Sequence, residues 1–265
     1  MNNKPVGVFD SGLGGLAVVK ELFQVLADEA IVYFGDTARL PYGTRSGQVI
    51  KKYVDDDIRF LQRYDTKIIV AACGTASAVA LPSLADSYDV PIVGIVEPSA
   101  KAAVNKSKNG RIGVLGTSGT IGSGLFERMI KAENADAAVF SVACPMFVPL
   151  VENGYLAHEV TYLIGQEYLA PLKKEKVDTI ILGCTHFPLL KEVICDIMGS
   201  DVVLVDSGAE TAKEVRRLLS AEGTLRKGCT PEHRFFVSDN VASFEKIGSM
   251  FLNSELPFAA ELAQV

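Results

Sequence analysis

The sequence predicts an α/β fold of two similar, pseudo-symmetric lobes, each a mainly parallel sheet flanked by helices. Short apolar runs alternate with helical patterns along the 265 residues, an order typical of parallel sheets with helices on both faces. The order then restarts, since residues 112–130 resemble residues 6–23 and residues 178–194 resemble residues 66–84. We interpret this repetition as an internal duplication of one α/β unit, with the functional site in the cleft between the lobes.

Apolar runs and the helical patterns between them define the elements. In the first lobe, strands are expected at KPVGVFD, AIVYFGD, KIIVAAC and PIVGIVE, with helices at about residues 15–27, 46–64 and 76–85. The late run HRFFVSD is expected to return to the first lobe, because chain ends often lie close together. The predicted lobes are residues 1–97 with 208–265, carrying Cys73, and residues 98–207, carrying Cys184.

Composition and charge favour a small-molecule or protein partner. The formal net charge is −6 and no long basic stretch interrupts it, so nucleic-acid binding is not expected. No apolar run approaches the length of a membrane span, and the start of the chain, MNNKPVGVFDSG, lacks the features of a signal peptide. We therefore expect a cytoplasmic protein that does not bind membranes.

Two of the five cysteines follow apolar runs at matching places in the duplicated unit. Cys73 ends IIVAAC and Cys184 ends IILGC, and parallel α/β sheets bind ligands beyond the carboxyl ends of their strands. Cys144, Cys195 and Cys229 have no such match and are expected to be packing or surface residues. An odd number of scattered cysteines without CxxC pairs predicts free thiols, with neither a disulfide frame nor a metal site.

Two equivalent thiols on opposite sides of a cleft suit inversion at a carbon atom. One ionised and one protonated group can remove a proton from one face and return a proton to the other. Thiols can serve because their reference pKa of about 8.5 is lowered by nearby cations or helix N-termini. Such chemistry formally needs no cofactor, and the sequence has no convincing lysine and phosphate cup for a pyridoxal route.

Polar residues near the two strand ends are candidate helpers. Asp10 or Ser11 in VFDSGLGG is expected to cap the helix after a tight strand-to-helix turn, and Asp10 is expected to lie near Cys73, where it orients the thiol or accepts a proton. The glycines of this turn fit neither dinucleotide nor P-loop spacing, and an acid there would repel phosphate. His186, two residues after the second cysteine, is another candidate. The acidic run 55–57 is expected to be a solvated helix face.

Taken together, these segments resemble the glutamate racemases of the cofactor-independent aspartate/glutamate racemase family. The resemblance covers nearly the whole chain, in the family's order, through VFDSGLGGL, YFGDTARLPYGTRS, VAACGTASA, IVEPSA, ACPMFVPLVENG, ILGCTHFPLL and VDSGAETA. It implies interconversion of L- and D-glutamate without a cofactor, supply of D-glutamate for peptidoglycan, and a homodimer. HFPLL after the second cysteine looks like the glutamate rather than the aspartate branch.

The resemblance also implies a set of site residues. The paired catalytic cysteines correspond to Cys73, which would act on D-glutamate, and Cys184, which would act on L-glutamate, with Asp10 and His186 beside them. Positions expected to contact the substrate are Asp10, Ser11, Pro41, Tyr42, Gly43, Gly74, Thr75, Thr117, Glu152, Thr185 and His186. Backbone N–H groups and hydroxyls, including that of Tyr42, would hold its charged groups.

Gly74 departs from the family, which has Asn directly after its first catalytic cysteine. That side chain is expected to hydrogen-bond the substrate, and losing a bond to a charged group costs about 1.5–3 kcal/mol. Water could compensate, catalysis could be weakened, or the extra room could admit another small acid. The alternatives are thus a related racemase or decarboxylase, or a binding protein with little turnover. If the enzyme is weakened here, Gly74→Asn should raise kcat/KM for glutamate by about tenfold or more.

Overall fold

The computed structural model describes residues 3–228, 230–252, 254 and 259–264, within which it has ten strands and twelve α-helices. The strands are β1 Val6–Asp10, β2 Ile31–Gly35, β3 Ile68–Ala71, β4 Ile92–Gly94, β5 Arg111–Gly116, β6 Ala138–Ala143, β7 Thr179–Leu182, β8 Val203–Asp206, β9 Arg234–Val237 and β10 Ala260–Leu262. The helices are α1 Leu16–Val25, α2 Gly47–Gln62, α3 Gly74–Val79, α4 Leu81–Leu84, α5 Val96–Lys106, α6 Ser118–Gly122, α7 Leu125–Glu133, α8 Phe147–Glu152, α9 Glu159–Lys174, α10 Lys191–Met198, α11 Ser207–Ala221 and α12 Val241–Leu252. None of these helices is long and apolar enough to cross a membrane.

The strands form two parallel sheets with the same internal order. The first sheet runs β10-β9-β2-β1-β3-β4 and the second runs β6-β5-β7-β8. The order β2-β1-β3-β4 therefore repeats as β6-β5-β7-β8, in agreement with the predicted pair of similar lobes. The register repeats as well, because Phe9 pairs with Ala71 in the first sheet and Leu115 pairs with Leu182 in the second. The ends of β3 and β7 thus occupy equivalent places.

Both sheets lie between helices, which explains why their central strands are almost continuously apolar. Strands β1, β2, β3 and β7 are buried along their whole length. Helix α2 begins after the capping hydroxyl of Ser46 and turns Ile50, Val54 and Leu61 inward, a spacing that places them on one face. Helix α11 packs against both α1 and α5, so it connects the helical layers of the two sheets.

The C-terminal segment lies on the first sheet, where β9 pairs with β2 and β10 pairs with β9. The division into residues 1–97 with 208–265 and residues 98–207 stays a proposal. Both boundaries fall within the first turn of a helix, because α5 begins at Val96 and α11 begins at Ser207. A cut one or two residues earlier would keep both helices whole.

Two local predictions differ from the structure. The helix expected at residues 76–85 is two short helices, α3 and α4. Helix α1 has Gly15 at its N-cap without a side-chain cap, so neither Asp10 nor Ser11 caps the helix. Asp10 instead accepts a hydrogen bond from the backbone N–H of Gly12 at 3.0 Å and so holds the turn itself.

Candidate active site

The two cysteines that follow β3 and β7 line one cavity of about 310 Å³. Cys73 and Cys184 each lie two residues beyond the last residue of their strand, and they are only 6% and 7% exposed. The volume is at the small end of the range for ligand sites. Cys73 is also the N-cap of α3, where its Sγ accepts the backbone N–H of Ala76 at 3.5 Å. The duplicated strands thus bring both thiols to one small space.

Cys73 has the surroundings of a protonated thiol. Burial, and after it the nearby Asp10 carboxyl, raises the pKa of Cys73 to about 12. The Cys73 thiol donates toward Oγ of Ser11 at 3.6 Å. Asp10 is buried and does not line the cavity, and its Oδ2 has no hydrogen-bond partner among the described residues. Burial also raises the pKa of Asp10, against the opposing effect of His186.

Cys184 lies beside an imidazole that is held in its protonated form. The Sγ of Cys184 is 3.8 Å from Nδ1 of His186, and Nε2 of His186 is 3.0 Å from Oε1 of Glu152. Burial by itself would lower the pKa of His186, but these two contacts outweigh burial and raise the pKa to about 10. An adjacent imidazolium stabilises a thiolate. The two thiols therefore have opposite electrostatic surroundings.

Three threonine hydroxyls meet at one side of the cavity. Oγ1 of Thr75 lies 2.8 Å from Oγ1 of Thr117 and 3.3 Å from Oγ1 of Thr120, and the last two are 3.0 Å apart. The sequence resemblance predicts Thr75 and Thr117 at the site but misses Thr120. The place of Thr120 in the first turn of α6, directly beyond a strand end, is the signal that could have identified it.

The segment Pro41–Gly43 also lines the cavity, but the hydroxyl of Tyr42 is taken up by two buried carboxyl groups that do not line it. Tyr42 is 1% exposed, and its hydroxyl lies 2.5 Å from Oδ2 of Asp36 and 2.9 Å from Oδ2 of Asp57. The expectation that this hydroxyl holds the substrate is therefore wrong. A second expectation is also wrong, because Asp57 in the acidic run is fully buried rather than solvated.

Gly74 does not leave extra room beside Cys73. A Cβ at this position would lie 2.2 Å from the carbonyl oxygen of Gly183, so backbone that precedes the second cysteine already occupies that space. The expectation of added space for another acid is wrong at this point. Gly74 opens α3, and its φ lies outside the left-handed region. Glycine is therefore needed here for the close approach of two backbones, not for its own conformation.

All of the predicted site residues except Asp10 lie on the cavity wall. They are Ser11, Pro41, Tyr42, Gly43, Cys73, Gly74, Thr75, Thr117, Glu152, Cys184, Thr185 and His186. The lining residues that sequence reasoning missed are Gly12, Leu13, Leu40, Thr44, Ser118, Thr120, Pro145, Val148 and Pro149. The described lining residues include no Lys or Arg, and the described part of the chain has no group of three His, Cys, Asp or Glu placed to hold a metal ion.

The remaining cysteines that the structure describes do not line the cavity. Cys144 is fully buried in the hydrophobic core, and this burial raises the pKa of its thiol. Cys195 is partly buried in α10. Both fit the expectation of packing or surface residues, whereas Cys229 lies outside the described residues.

Two thiols at equivalent strand ends, lining one cavity, define a class of two-lobed α/β enzyme suited to acid–base chemistry on both sides of a ligand. The sequence profile of the Asp/Glu/Hydantoin racemase family matches residues 6–215. The chain belongs to this family.

Individual relatives are similar over nearly the whole chain. A glutamate racemase of Geobacter metallireducens is 45% identical over 254 residues, which cover 96% of this chain and 94% of that protein. The crystal structure of a glutamate racemase isoform from Bacillus anthracis has a TM-score of 0.96 at 37% identity and covers 100% of this chain and 99% of its own. The glutamate racemase of Francisella tularensis, solved in complex with D-glutamate, has a TM-score of 0.93 at 35% identity and covers 100% and 98%.

Proposed function

We propose that the protein interconverts L- and D-glutamate by proton transfer at the α carbon, with Cys73 and Cys184 as the two acid–base groups and without a cofactor. The observation that carries this proposal is the pair of strand-end thiols on one cavity, in a chain that belongs to a racemase family. Inversion requires a group on each face of the carbon, and the cavity offers one thiol from each half of the duplicated fold.

The two thiols have different neighbours, as a reaction with one acid and one base requires. Nδ1 of His186 lies 3.8 Å from the Sγ of Cys184, whereas burial and Asp10 raise the pKa of Cys73. The proposed reaction of L-glutamate starts with Cys184 as the thiolate and Cys73 as the thiol, and the reaction of D-glutamate starts with the two forms exchanged. For L-glutamate, the Cys184 thiolate removes the α proton and the Cys73 thiol donates its own proton to the opposite face. The reaction of D-glutamate runs the same steps in reverse.

Neutral donors and helix-start backbone are suited to hold the charged groups of glutamate. Because no Lys or Arg lines the described cavity, the carboxylates depend on hydroxyls such as those of Ser11, Thr75 and Thr185 and on nearby backbone N–H groups. Glu152 is the acidic side chain on the cavity wall, and it is suited to face the substrate ammonium as well as His186. A lysine for a pyridoxal Schiff base is missing from the same wall.

The biological role, cell compartment and oligomeric state of the protein follow from the proposed function. We infer that the product D-glutamate enters peptidoglycan synthesis, that the reaction takes place in the cytoplasm, and that the enzyme is a homodimer. The support for these statements is the similarity to bacterial glutamate racemases, one of them solved with D-glutamate bound.

Cysteine variants test the proposed chemistry directly. Purified protein without added cofactor is incubated with D- or L-glutamate in D₂O, while circular dichroism follows inversion and NMR follows exchange of the α hydrogen. Cys73→Ala and Cys184→Ala should each abolish inversion, because each removes the group on one face. Cys195→Ala is the matched control and should invert both enantiomers at the unaltered rate. Near-normal inversion by either active-site variant would exclude the two-thiol mechanism, and turnover of another acid instead of glutamate would support the related-enzyme alternative.

A further inference from the structure

Beneath the cavity, the hydroxyl of Tyr42 lies within hydrogen-bond distance of two different carboxyl groups. Oδ2 of Asp36 is at 2.5 Å and Oδ2 of Asp57 is at 2.9 Å, and all three residues are at most 1% exposed. Tyr42 belongs to the wall of the cavity, whereas neither carboxyl group does. The contacts thus connect a lining segment to buried acidic groups that the proposed chemistry does not use.

The hydrogen atoms in this cluster can be counted. A phenolic hydroxyl donates one hydrogen bond and can accept another. Asp36 also accepts hydrogen bonds from Nε of Arg39 at 2.5 Å and Oγ of Ser238 at 2.9 Å, and its contact with the Tyr42 hydroxyl is shorter than that of Asp57. The Tyr42 proton is therefore directed to Asp36. The contact between Tyr42 and Asp57 then needs a proton of its own, and Oδ2 of Asp57 must carry it.

The charges around the cluster agree with this count. Arg39 is a single cation facing three carboxyl groups, with Nη2 at 3.0 Å from Oδ1 of Asp57 and Nη1 at 2.7 Å from Oδ2 of Asp56. Its guanidinium also lies 4.4 Å from the ring centre of Tyr53. Burial and the neighbouring Asp36 raise the pKa of Asp57 well above its ordinary value, while Arg39 opposes this shift only in part. A neutral Asp57 leaves Arg39 paired with buried Asp36 and with the partly exposed Asp56.

The cluster acts on the cavity through the backbone of Tyr42. This residue opens the short 3₁₀ turn Tyr42–Thr44, and Gly43 within the turn lies close to Thr117, which also lines the cavity. We propose that Asp57 is a positioning residue that donates a hydrogen bond from Oδ2 to the Tyr42 hydroxyl and thereby fixes the cavity segment from Pro41 to Gly43. The inference rests on the proposed function only for its kinetic readout.

Paired amide substitutions distinguish a protonated from an ionised Asp57. Asp57→Asn replaces the O–H donor by an N–H donor and keeps an oxygen for Arg39, so KM for glutamate should stay within about threefold of the original value. Asp57→Ala removes both groups and should raise KM at least tenfold with a smaller change in kcat, since the thiols are untouched. Asp36→Asn removes the charge partner of Arg39 and should be far more harmful than Asp57→Asn.

Stability against pH gives a readout that does not depend on activity. A carboxyl group whose pKa is raised by folding holds an extra proton in the folded state, so stability falls as pH rises above its unfolded pKa of about 3.9 toward its folded pKa. In that window, the titration of Asp57 should raise the equilibrium constant for unfolding by up to about tenfold per pH unit. Asp57→Asn should lack this loss of stability. Asp56→Asn, the partly exposed neighbour on the same guanidinium, is the matched control and should keep the decline.

The two readouts separate the inference from the proposed function. If the unaltered protein does not racemise glutamate, the proposed function fails, but the difference in pH dependence between Asp57→Asn and Asp56→Asn still supports a protonated Asp57. If the protein racemises glutamate and Asp57→Asn has the same pH dependence as the unaltered protein, the inference is overturned. Damage to KM by Asp57→Asn as severe as that caused by Asp57→Ala would overturn it as well.

Discussion

Adding one methyl group at Gly74 tests whether the close approach of the two backbones controls catalysis. A Cβ at this position would lie 2.2 Å from the carbonyl oxygen and 3.2 Å from the carbonyl carbon of Gly183. Gly74 is at the start of α3 beside Cys73, and Gly183 directly precedes Cys184. Neither group in the contact is the end of a flexible side chain, so Gly74→Ala must push the segments that carry the two thiols apart.

The size of the effect follows from the geometry. Restoring an ordinary contact of about 3.5 Å requires a displacement of roughly 1 Å or more. A misplacement of about 1 Å at reacting groups can cost on the order of a hundredfold in rate, which is about 2.7 kcal/mol of transition-state stabilisation. Helix propensity acts in the opposite direction, since Ala is favoured over Gly by up to about 1 kcal/mol within a helix. A loss of activity would therefore come from the contact and not from the helix.

The assay compares inversion with exchange of the α hydrogen in D₂O. Inversion needs both thiols at the correct separation, whereas exchange with retention needs one, so Gly74→Ala should lower inversion more than exchange. A graded series of alanines supplies the controls. Gly119 has the Gly43 carbonyl oxygen at 3.1 Å from its would-be Cβ and should give a smaller loss, and Gly122 has nothing within 4 Å and should give none.

Two results would refute this reasoning. Unchanged kcat/KM in Gly74→Ala would mean that the contact with Gly183 does not set the separation of the thiols. A tenfold gain in Gly74→Asn, which the sequence resemblance alone predicts for a weakened enzyme, would mean that the backbones part without cost and that the missing amide matters more. From the structure we expect Gly74→Asn to lose activity, because its Cβ meets the same carbonyl oxygen.

Two further predictions concern buried charges. Contacts with Cys184 and Glu152 raise the pKa of His186 to about 10, so the stability that these contacts contribute is complete below about pH 6.5 and is lost as pH rises through 10. The free energy of unfolding should therefore decline over that range, and His186→Asn should lack this decline. Nζ of Lys67 lies 2.7 Å from Glu29, and both side chains are at most 2% exposed, so Lys67→Met should destabilise the protein by about 3–5 kcal/mol in urea titrations. A comparable change in an exposed ion pair should cost less than about 1 kcal/mol. Equal losses at the two pairs would contradict the role of burial.

Much of the frame was open to prediction because it repeats along the chain. Alternating apolar runs and helices predict parallel sheets, and the resemblance between the two halves predicts equivalent strand ends with Cys73 and Cys184 beyond them. The structure confirms the two parallel sheets, and the strand order β2-β1-β3-β4 of the first sheet recurs as β6-β5-β7-β8 in the second. These features depend on periodicity and on local order, which a single sequence displays directly.

The polar cluster under the cavity was harder to predict because its contacts are distant in the chain. Tyr42 and Asp57 are 15 residues apart, and nothing local in the sequence pairs them. The burial of Asp57 had a local signal, since it lies seven residues after Ile50, three after Val54 and four before Leu61, on the apolar face of α2. Interpreting the acidic run 55–57 as one solvated unit ignored that these three carboxyl groups point in different directions around a helix.

The same repeat explains how a symmetric frame supports an asymmetric reaction. Superposing the two registers places Asp10 at the position of Gly116, and His186 at the position of Thr75, two residues beyond each cysteine. Burial and Asp10 raise the pKa of Cys73, whereas Nδ1 of His186 lies 3.8 Å from the Sγ of Cys184. Two thiols in identical surroundings would ionise alike, and inversion needs one of each form. Duplication of the strand ends therefore supplies the paired positions, and divergence at the neighbouring residues gives each thiol the different surroundings that the proposed mechanism requires.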